Sequence, residues 1–448
     1  MAKSSFDLPH LDGSHAPAEE DAASLETPVQ RAVVAKAILP DDPSLSTTEI
    51  GPIDEIVSLA DTAGVQVVAA VTQRRRKPHP ATYLGKGKLE ELRELVEEEK
   101  PSMVLVDDPL SPGQGKNLEE RVGLRVVDRT ELIMDIFATH ANTHQAKLQV
   151  ELAQLRYSQS RLKRMWTHLS RMEGGIGMRG PGETQLETDR RIIRRKIQLL
   201  RTKLEEIERQ GTVQHKSREG TFRVALVGYT NAGKSTLMRA LTGADVLVED
   251  QLFSTLDTCT RQWELEGTRD VILSDTVGFI RRLPHTLVAS FHATLMEVRE
   301  ADLLLHVVDG HTPQVEHDVD AVEETLEAIG CADQPKIVVF NKVDRLPEDR
   351  RIDVQYLLDR YPDSLLVSAQ TGVGLDALRD IVIQIATEGE SIEEYVLPIE
   401  RGDLVARLRD VGQVEEERYE EDGIHVRVQL GNEARDRFDA LLRTLGRA

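Results

Sequence analysis

Between residues 33 and 127 the apolar pattern switches period every few positions. Val33–Leu39, Val65–Val71, Met103–Val106 and Leu124–Val127 are short, valine-rich runs, the pattern of strands buried on both faces. Between them, Asp54–Asp61, Leu89–Lys100 and Lys116–Val122 carry helical spacing. This alternation predicts a small parallel-sheet α/β domain over residues 29–132, preceded by a disordered tail at 1–28. From Leu148 the period becomes 3.5. Leu148, Leu152, Leu155, Leu162, Trp166 and Leu169 form one stripe, and Leu186, Ile193, Ile197, Leu200, Leu204 and Ile207 a second. The segment Gly174–Gly182 between them holds five glycines in nine residues, which ends the first helix. Thr184 and Glu187 are spaced as a capping box to start the second. Residues 133–218 therefore read as an antiparallel helical hairpin, zipped along an apolar seam with a glycine-rich tip at 174–182.

Residues 219–390 return to α/β alternation, with expected strands Phe222–Val227, Val271–Ser274, Leu303–Val308, Ile337–Phe340 and Leu365–Ser368. Residues 391–448 read as a small α+β domain with a strand at Gly423–Leu430 and a helix at Glu433–Leu445. The fold class expected is thus α/β: a P-loop domain with a small parallel α/β domain before it, a hairpin arm between them and an α+β domain after it.

Charge changes this picture more than composition does. The 448-residue chain has a formal net charge of −21, which excludes a uniformly basic nucleic-acid binder. Yet residues 156–218 hold sixteen Lys/Arg against seven Asp/Glu, so positive charge is segregated onto the hairpin, where it can neutralise RNA phosphates. Arg190, Arg191, Arg194 and Arg195 on the stem and Arg179 at the tip are the expected contacts. A second basic cluster, Arg74, Arg75, Arg76, Lys86 and Lys88, lies in a stretch without an acid and suits a phosphate at a helix start. Two cysteines, Cys259 and Cys331, provide neither a disulfide framework nor a Cys₄ zinc site. His140 and His144 stand at i,i+4 without an evident third ligand. With no bilayer-length apolar run and no signal-peptide layout, a cytoplasmic location without stable membrane insertion is expected.

Four motifs carry the chemistry. Gly228-Tyr229-Thr230-Asn231-Ala232-Gly233-Lys234-Ser235, followed by Thr236, matches G-x-x-x-x-G-K-[ST] between an apolar strand and a helix. Backbone amides there cradle phosphates, Lys234 reaches the β and γ oxygens, and Ser235 holds Mg²⁺. Asp275-Thr276-Val277-Gly278 ends the next strand; Asp275 suits Mg²⁺ through water, and Gly278 allows close approach of its amide to the γ-phosphate. Asn341-Lys342-Val343-Asp344 follows another strand. An ionised Asp344 only accepts, which matches the adjacent N1–H and N2–H₂ donors of guanine. Ser368-Ala369 is placed to set an amide against guanine O6. All four stand at the carboxyl ends of expected parallel strands, where an open α/β sheet binds its ligand.

In order and spacing these motifs resemble the translation-factor-type GTPases, close to the Obg group. The resemblance implies a first-switch threonine in the Mg²⁺ shell; Leu252–Asp257 points to Thr255. Lys234, Thr255 and Gly278 are then the expected catalytic groups. After Gly278 the chain carries Phe279 where Ras-like enzymes place a water-orienting glutamine, which implies slow basal hydrolysis awaiting a partner. Outside the nucleotide motifs, Tyr83–Leu89, Lys147–Leu155 and Gly174–Glu187 resemble the HflX family. That resemblance implies a GTP-hydrolysing factor that binds the large ribosomal subunit and its rRNA and dissociates stalled or idle ribosomes under stress; off the ribosome the chain is expected to be monomeric. An assembly GTPase for the large subunit and a GTP-gated RNA-binding regulator are the alternatives.

Overall fold

The computed structural model describes residues 30–40, 42, 45, 51–165, 181–216, 221–244, 252–253, 255, 258–265, 271–281, 296–346, 351–388 and 390–445. Its N-terminal sheet contains β1 (Gln30–Ile38), β2 (Val65–Arg74), β3 (Met103–Val106) and β4 (Arg125–Asp128), all parallel, in the order β2-β1-β3-β4. The last seven residues of the central strand β1 are buried, which is why its sequence is apolar without alternation. Helices α1 (Asp54–Thr62), α2 (Lys86–Glu99), α3 (Pro112–Val122) and α4 (Arg129–His140) cover the sheet. Helix α3 starts four residues before the expected Lys116, because Ser111 and Gln114 form a reciprocal capping box with Pro112 in the first turn. The expected boundary at 132 falls inside α4, whose Leu132, Ile133, Ile136 and Phe137 belong to the N-terminal core.

The arm begins with α5 (His144–Met165) and returns as the 36-residue α6 (Pro181–Lys216). Leu148, Leu152, Ile197, Leu200 and Leu204 are buried together along the seam, with Leu155, Ile193 and Ile207 against them. Trp166, Leu169 and the tip segment 174–180, including Arg179, lie outside the described residues. Helix α6 starts at Pro181, so Thr184 sits within it instead of capping it; proline's fixed φ suits the first helical position. The opposite side of α5 joins the N-terminal core through Ala146, Val150 and Ala153. Tyr157 Oη donates to Asp128 Oδ1 at 2.8 Å and Arg161 pairs with Asp128 Oδ2 at 2.6 Å, clamping the arm to its base.

The central sheet has six strands, β5 (Phe222–Gly228), β6 (Cys259–Trp263), β7 (Val271–Asp275), β8 (Leu303–Asp309), β9 (Lys336–Asn341) and β10 (Ser364–Leu366), ordered β10-β9-β8-β5-β7-β6. Strand β6 is antiparallel and has no counterpart in the sequence reading; of its five residues only Trp263 is buried, so its apolar signal is weak. The buried Trp263 joins the core beneath it. Helix α7 (Lys234–Thr242) follows β5. In the last domain β11 (Glu390–Leu397), β12 (Gln413–Glu420) and β13 (Gly423–Gly431) form an antiparallel sheet, β11-β13-β12. Leu404, Leu408 and Phe438, from helices Gly402–Val411 and Asn432–Leu445, pack with Val426 and Val428 from the sheet. Among the described residues no helix is long and apolar enough to cross a membrane.

Candidate functional site

Strands β5, β7, β9 and β10 deliver the chemistry from one end of the central sheet, with β8 between β5 and β9. At the end of β5 a Cβ on Gly228 would lie 2.1 Å from the Val307 carbonyl oxygen, and one on Gly233 2.4 Å from Asn341 Nδ2. Only glycine lets this loop lie so close to its neighbours. Asn231 and Gly233 adopt left-handed φ values of 60° and 90°, bending the loop into a concavity of amides ahead of α7. Inside it Lys234 is buried and donates to Gly228 O (3.2 Å) and Tyr229 O (2.9 Å). Burial lowers its pKa to about 8, against the opposing pull of Asp275, so a phosphate is the natural compensation for its charge.

Ser235, Thr255 and Asp275 converge beside the lysine. Ser235 Oγ donates to Asp275 Oδ2 at 2.6 Å and lies 2.8 Å from Thr255 Oγ1, which itself lies 3.3 Å from Asp275 Oδ2. Asp275 is fully buried, and burial raises its pKa against the neighbouring Lys234. Its Oδ1 has no hydrogen-bond partner. An orphaned carboxylate oxygen beside two hydroxyls is a hard-oxygen set that fits Mg²⁺. A Cβ on Gly278 would meet Thr230 Cα at 2.9 Å and Lys234 Nζ at 3.1 Å, so the absence of a side chain lets this segment lie directly against the loop and its lysine.

The base end is built by mutual bracing. Asn341 Nδ2 donates to Ala232 O at 3.0 Å, and its Oδ1 accepts from Ala369 N. Lys342 Nζ straps Asn231 O and Asp309 Oδ2, each at 2.8 Å. Asp344 Oδ1 accepts from Ser368 Oγ at 2.5 Å. The amides expected to meet guanine O6 are engaged within the protein: Ser368 N donates to Val373 O and Ala369 N to Asn341 Oδ1. A cavity of about 350 Å³ runs from Lys234, Ser235 and Gly278 to Lys342, Asp344 and Ala369, with Thr230, Asn231 and Thr236 along its wall. Arg239, Arg345 and Gln370 also line it and were not singled out in the sequence; Arg239 stands one helical turn after Thr236, and that i,i+3 spacing was the available signal.

Three expected nucleotide contacts point elsewhere. Thr276 Oγ1 donates to Leu226 O at 2.7 Å, tying two strands together. Val277 joins the core of the N-terminal domain. Tyr229 turns outward from its loop and donates its hydroxyl to Glu55. Phe279 is also core: its backbone pairs with Gly228 and Thr230, and its ring packs with Ala225, Val227 and Leu304.

Around Tyr229 the two domains share a buried polar chain. Arg129 pairs with Glu55 at 2.9 Å and Asp107 at 2.7 Å, and donates to Arg281 O at 3.0 Å. Burial opposes the charge on Arg129, but Glu55 and Asp107 hold its pKa above the ordinary value. Arg281 in turn pairs with Asp318 at 2.7 Å. Polar contacts so deeply buried are strong only when every member is satisfied.

The expected RNA contacts divide. Arg191, Arg194 and Arg195 are exposed along α6 and Arg190 is half-buried. Arg74, Arg76 and Lys86 are exposed, whereas Arg75 donates to Lys77 O and Lys88 pairs with Glu91 at 2.8 Å.

Three family descriptions match successive parts of the chain: GTP-binding GTPase N-terminal over residues 51–138, GTP-binding GTPase Middle Region over 140–218, and 50S ribosome-binding GTPase over 223–342. The chain is 46% identical to GTPase HflX of Escherichia coli (strain K12) over 374 residues, 83% of this chain and 87% of that protein. It is 44% identical to GTPase HflX of Caldanaerobacter subterraneus over 391 residues, 86% and 89% of the two chains. Among solved structures, a GTP-binding protein from the archaeon Sulfolobus solfataricus in complex with GDP aligns over 80% of this chain and 99% of its own, at 24% identity and a TM-score of 0.40.

Proposed function

We propose, from the premise that the chain belongs to the HflX family of GTPases, that it binds the large ribosomal subunit in its GTP state and dissociates stalled or idle ribosomes. Hydrolysis then releases the protein for another round. The loop amides of Gly228–Ser235 and the buried Lys234 hold the phosphates. Asp344 accepts from guanine N1–H and N2–H₂ while Ser368 fixes the carboxylate's orientation. Ser235 and Thr255 would hold Mg²⁺, with Asp275 behind them; the ion supplies neutralisation of phosphate charge. With no side chain at Gly278, its backbone lies beside Lys234 and can approach the terminal phosphate.

Because the Phe279 ring is committed to the core, the second switch has no side chain there to orient water. Basal turnover is accordingly slow and rises when the subunit supplies or orders the missing group.

The observation that carries the ribosomal part is the row of exposed arginines at 191, 194 and 195 on a stiff two-helix arm in a chain of net charge −21. Cosedimentation with intact ribosomes in GTP, GDP and non-hydrolysable states tests it. Release of both subunits with GTP or the analogue, and none with GDP, is expected. Binding to free large-subunit precursors alone would favour an assembly role and end this reading.

A further inference from the structure

Phe253, two residues before Thr255, has a left-handed φ of 59°, a conformation that a bulky side chain adopts only when its surroundings hold it there. Its ring is 2% exposed and meets Phe137 of α4 edge to face, with centroids 4.7 Å apart. Phe253 thus belongs to the core of the N-terminal domain, with Ile133, Ile136 and Val150, although it also lines the nucleotide cavity. Val277, directly before Gly278, and Ile280, two residues after it, enter that same core. The segments carrying Thr255 and Gly278 are therefore both anchored in a neighbouring domain by apolar side chains.

We infer that Phe253 is a positioning residue: seated on Phe137, it lets the N-terminal domain hold Thr255 against Ser235 and Asp275, in the arrangement suited to the triphosphate. The inference rests on the reading of Thr255 as a magnesium ligand. The physical argument is pre-organisation. Thr255 Oγ1 already lies 2.8 Å from Ser235 Oγ, and a threonine on an unanchored loop would lose conformational freedom on reaching that position. A ligand that needs the closed arrangement binds more weakly in proportion to the fraction of molecules no longer closed. A diphosphate, which does not need the threonine, is indifferent to it.

The test is equilibrium binding of fluorescent GDP and of a fluorescent non-hydrolysable GTP analogue, with and without Mg²⁺, to the full chain and to F137A, F137L and T255A. If losing the anchor drops the closed fraction to about a tenth, F137A loses about tenfold in analogue affinity with Mg²⁺ and keeps its GDP affinity. F137L, which retains most of the apolar volume, loses less. A purely structural role for Phe137 would weaken both nucleotides together and would overturn the inference. If F137A does not fold, F137L decides on the same criterion: an unchanged analogue-to-GDP ratio overturns it. T255A separates the two ideas. If T255A loses the Mg²⁺-dependent preference while the Phe137 variants keep it, only the anchoring is wrong; if T255A keeps the preference, the threonine reading falls and the anchoring with it.

Discussion

Asp344 faces the cavity with one oxygen held by Ser368, so its contribution to base selection depends on a carboxylate that can only accept. D344N places a donor opposite the donors of guanine. With charged hydrogen bonds contributing about 1.5–3 kcal/mol each, guanine nucleotides should bind at least about 10-fold more weakly, and a base with oxygen in place of the exocyclic amino group should bind better than to the parent. Competitive titration of the two nucleotides reads this; equal affinities in parent and variant would remove Asp344 from base recognition. His306 makes a different kind of residue-scale prediction. It is completely buried on β8, with Nδ1 3.7 Å from Glu323 Oε1, and burial holds its pKa below the ordinary value despite Glu323. As pH drops below about 6.5 the unfolded chain takes up a proton that the folded ring refuses, so this group lowers stability by up to about 1.4 kcal/mol per pH unit until the folded pKa is reached. H306V, which also removes two unpartnered ring nitrogens, should flatten that part of the fall in melts between pH 6.5 and 5; an unchanged slope would assign the acid sensitivity to other groups. Sequence reading placed the motif of Asp344 after a strand, and the structure has Asp344 in the turn Val343–Arg345 beyond β9; it had no means of seeing what His306 faces, since one polar residue in an apolar run carries no sign of its partner.

At the scale of elements, the glycines divide by what surrounds them. G278A puts a methyl group 2.9 Å from Thr230 Cα and 3.1 Å from Lys234 Nζ, at a wall of the nucleotide cavity, so the loop must shift, and the variant should weaken the triphosphate analogue with a smaller loss of stability than G228A. G228A meets the Val307 carbonyl oxygen at 2.1 Å, in the middle of the sheet, and should cost on the order of 3 kcal/mol or more through a forced shift of β8. Thermal melts paired with nucleotide titration distinguish the two, and a G228A protein as stable as the parent would contradict the packing described. In the arm, L200A removes a seam residue that is 5% exposed and should destabilise the hairpin by about 2–5 kcal/mol, seen as faster proteolysis of α5 and α6 with GTP binding unchanged. The seam was legible because its period repeats over eight residues on two helices. Helix starts were not: Thr184–Glu187 and Ser111–Gln114 have equivalent capping patterns in sequence, yet the second caps a helix whereas Thr184 lies inside one. The difference is proline at 181, which makes a start possible one turn earlier.

Over the whole molecule, segregated charge predicts that the proposed ribosome binding depends steeply on salt. Reversing Arg190, Arg191, Arg194 and Arg195 together should abolish cosedimentation while leaving GTP affinity intact, and affinity of the parent chain should fall steeply and log-linearly as salt rises. A shallow slope would show that α6 does not contact phosphates. The sequence alone was sufficient for the alternation of strands and helices, the seam of Leu148–Leu155 against Ile193–Ile207, the four nucleotide motifs and the segregated charge of the arm, because each rests on residues close together in the chain whose period or spacing is itself the physical requirement. Tertiary structure decided the rest. Tyr229, Thr276 and Val277 sit inside nucleotide motifs, yet they bond to Glu55, to the Leu226 carbonyl oxygen and to the N-terminal core. Phe253 reads as a switch residue but packs on Phe137, 116 positions earlier. Which side chains face the ligand and which face a neighbouring domain depends on contacts between segments far apart in sequence, and a local pattern holds no record of where those segments meet.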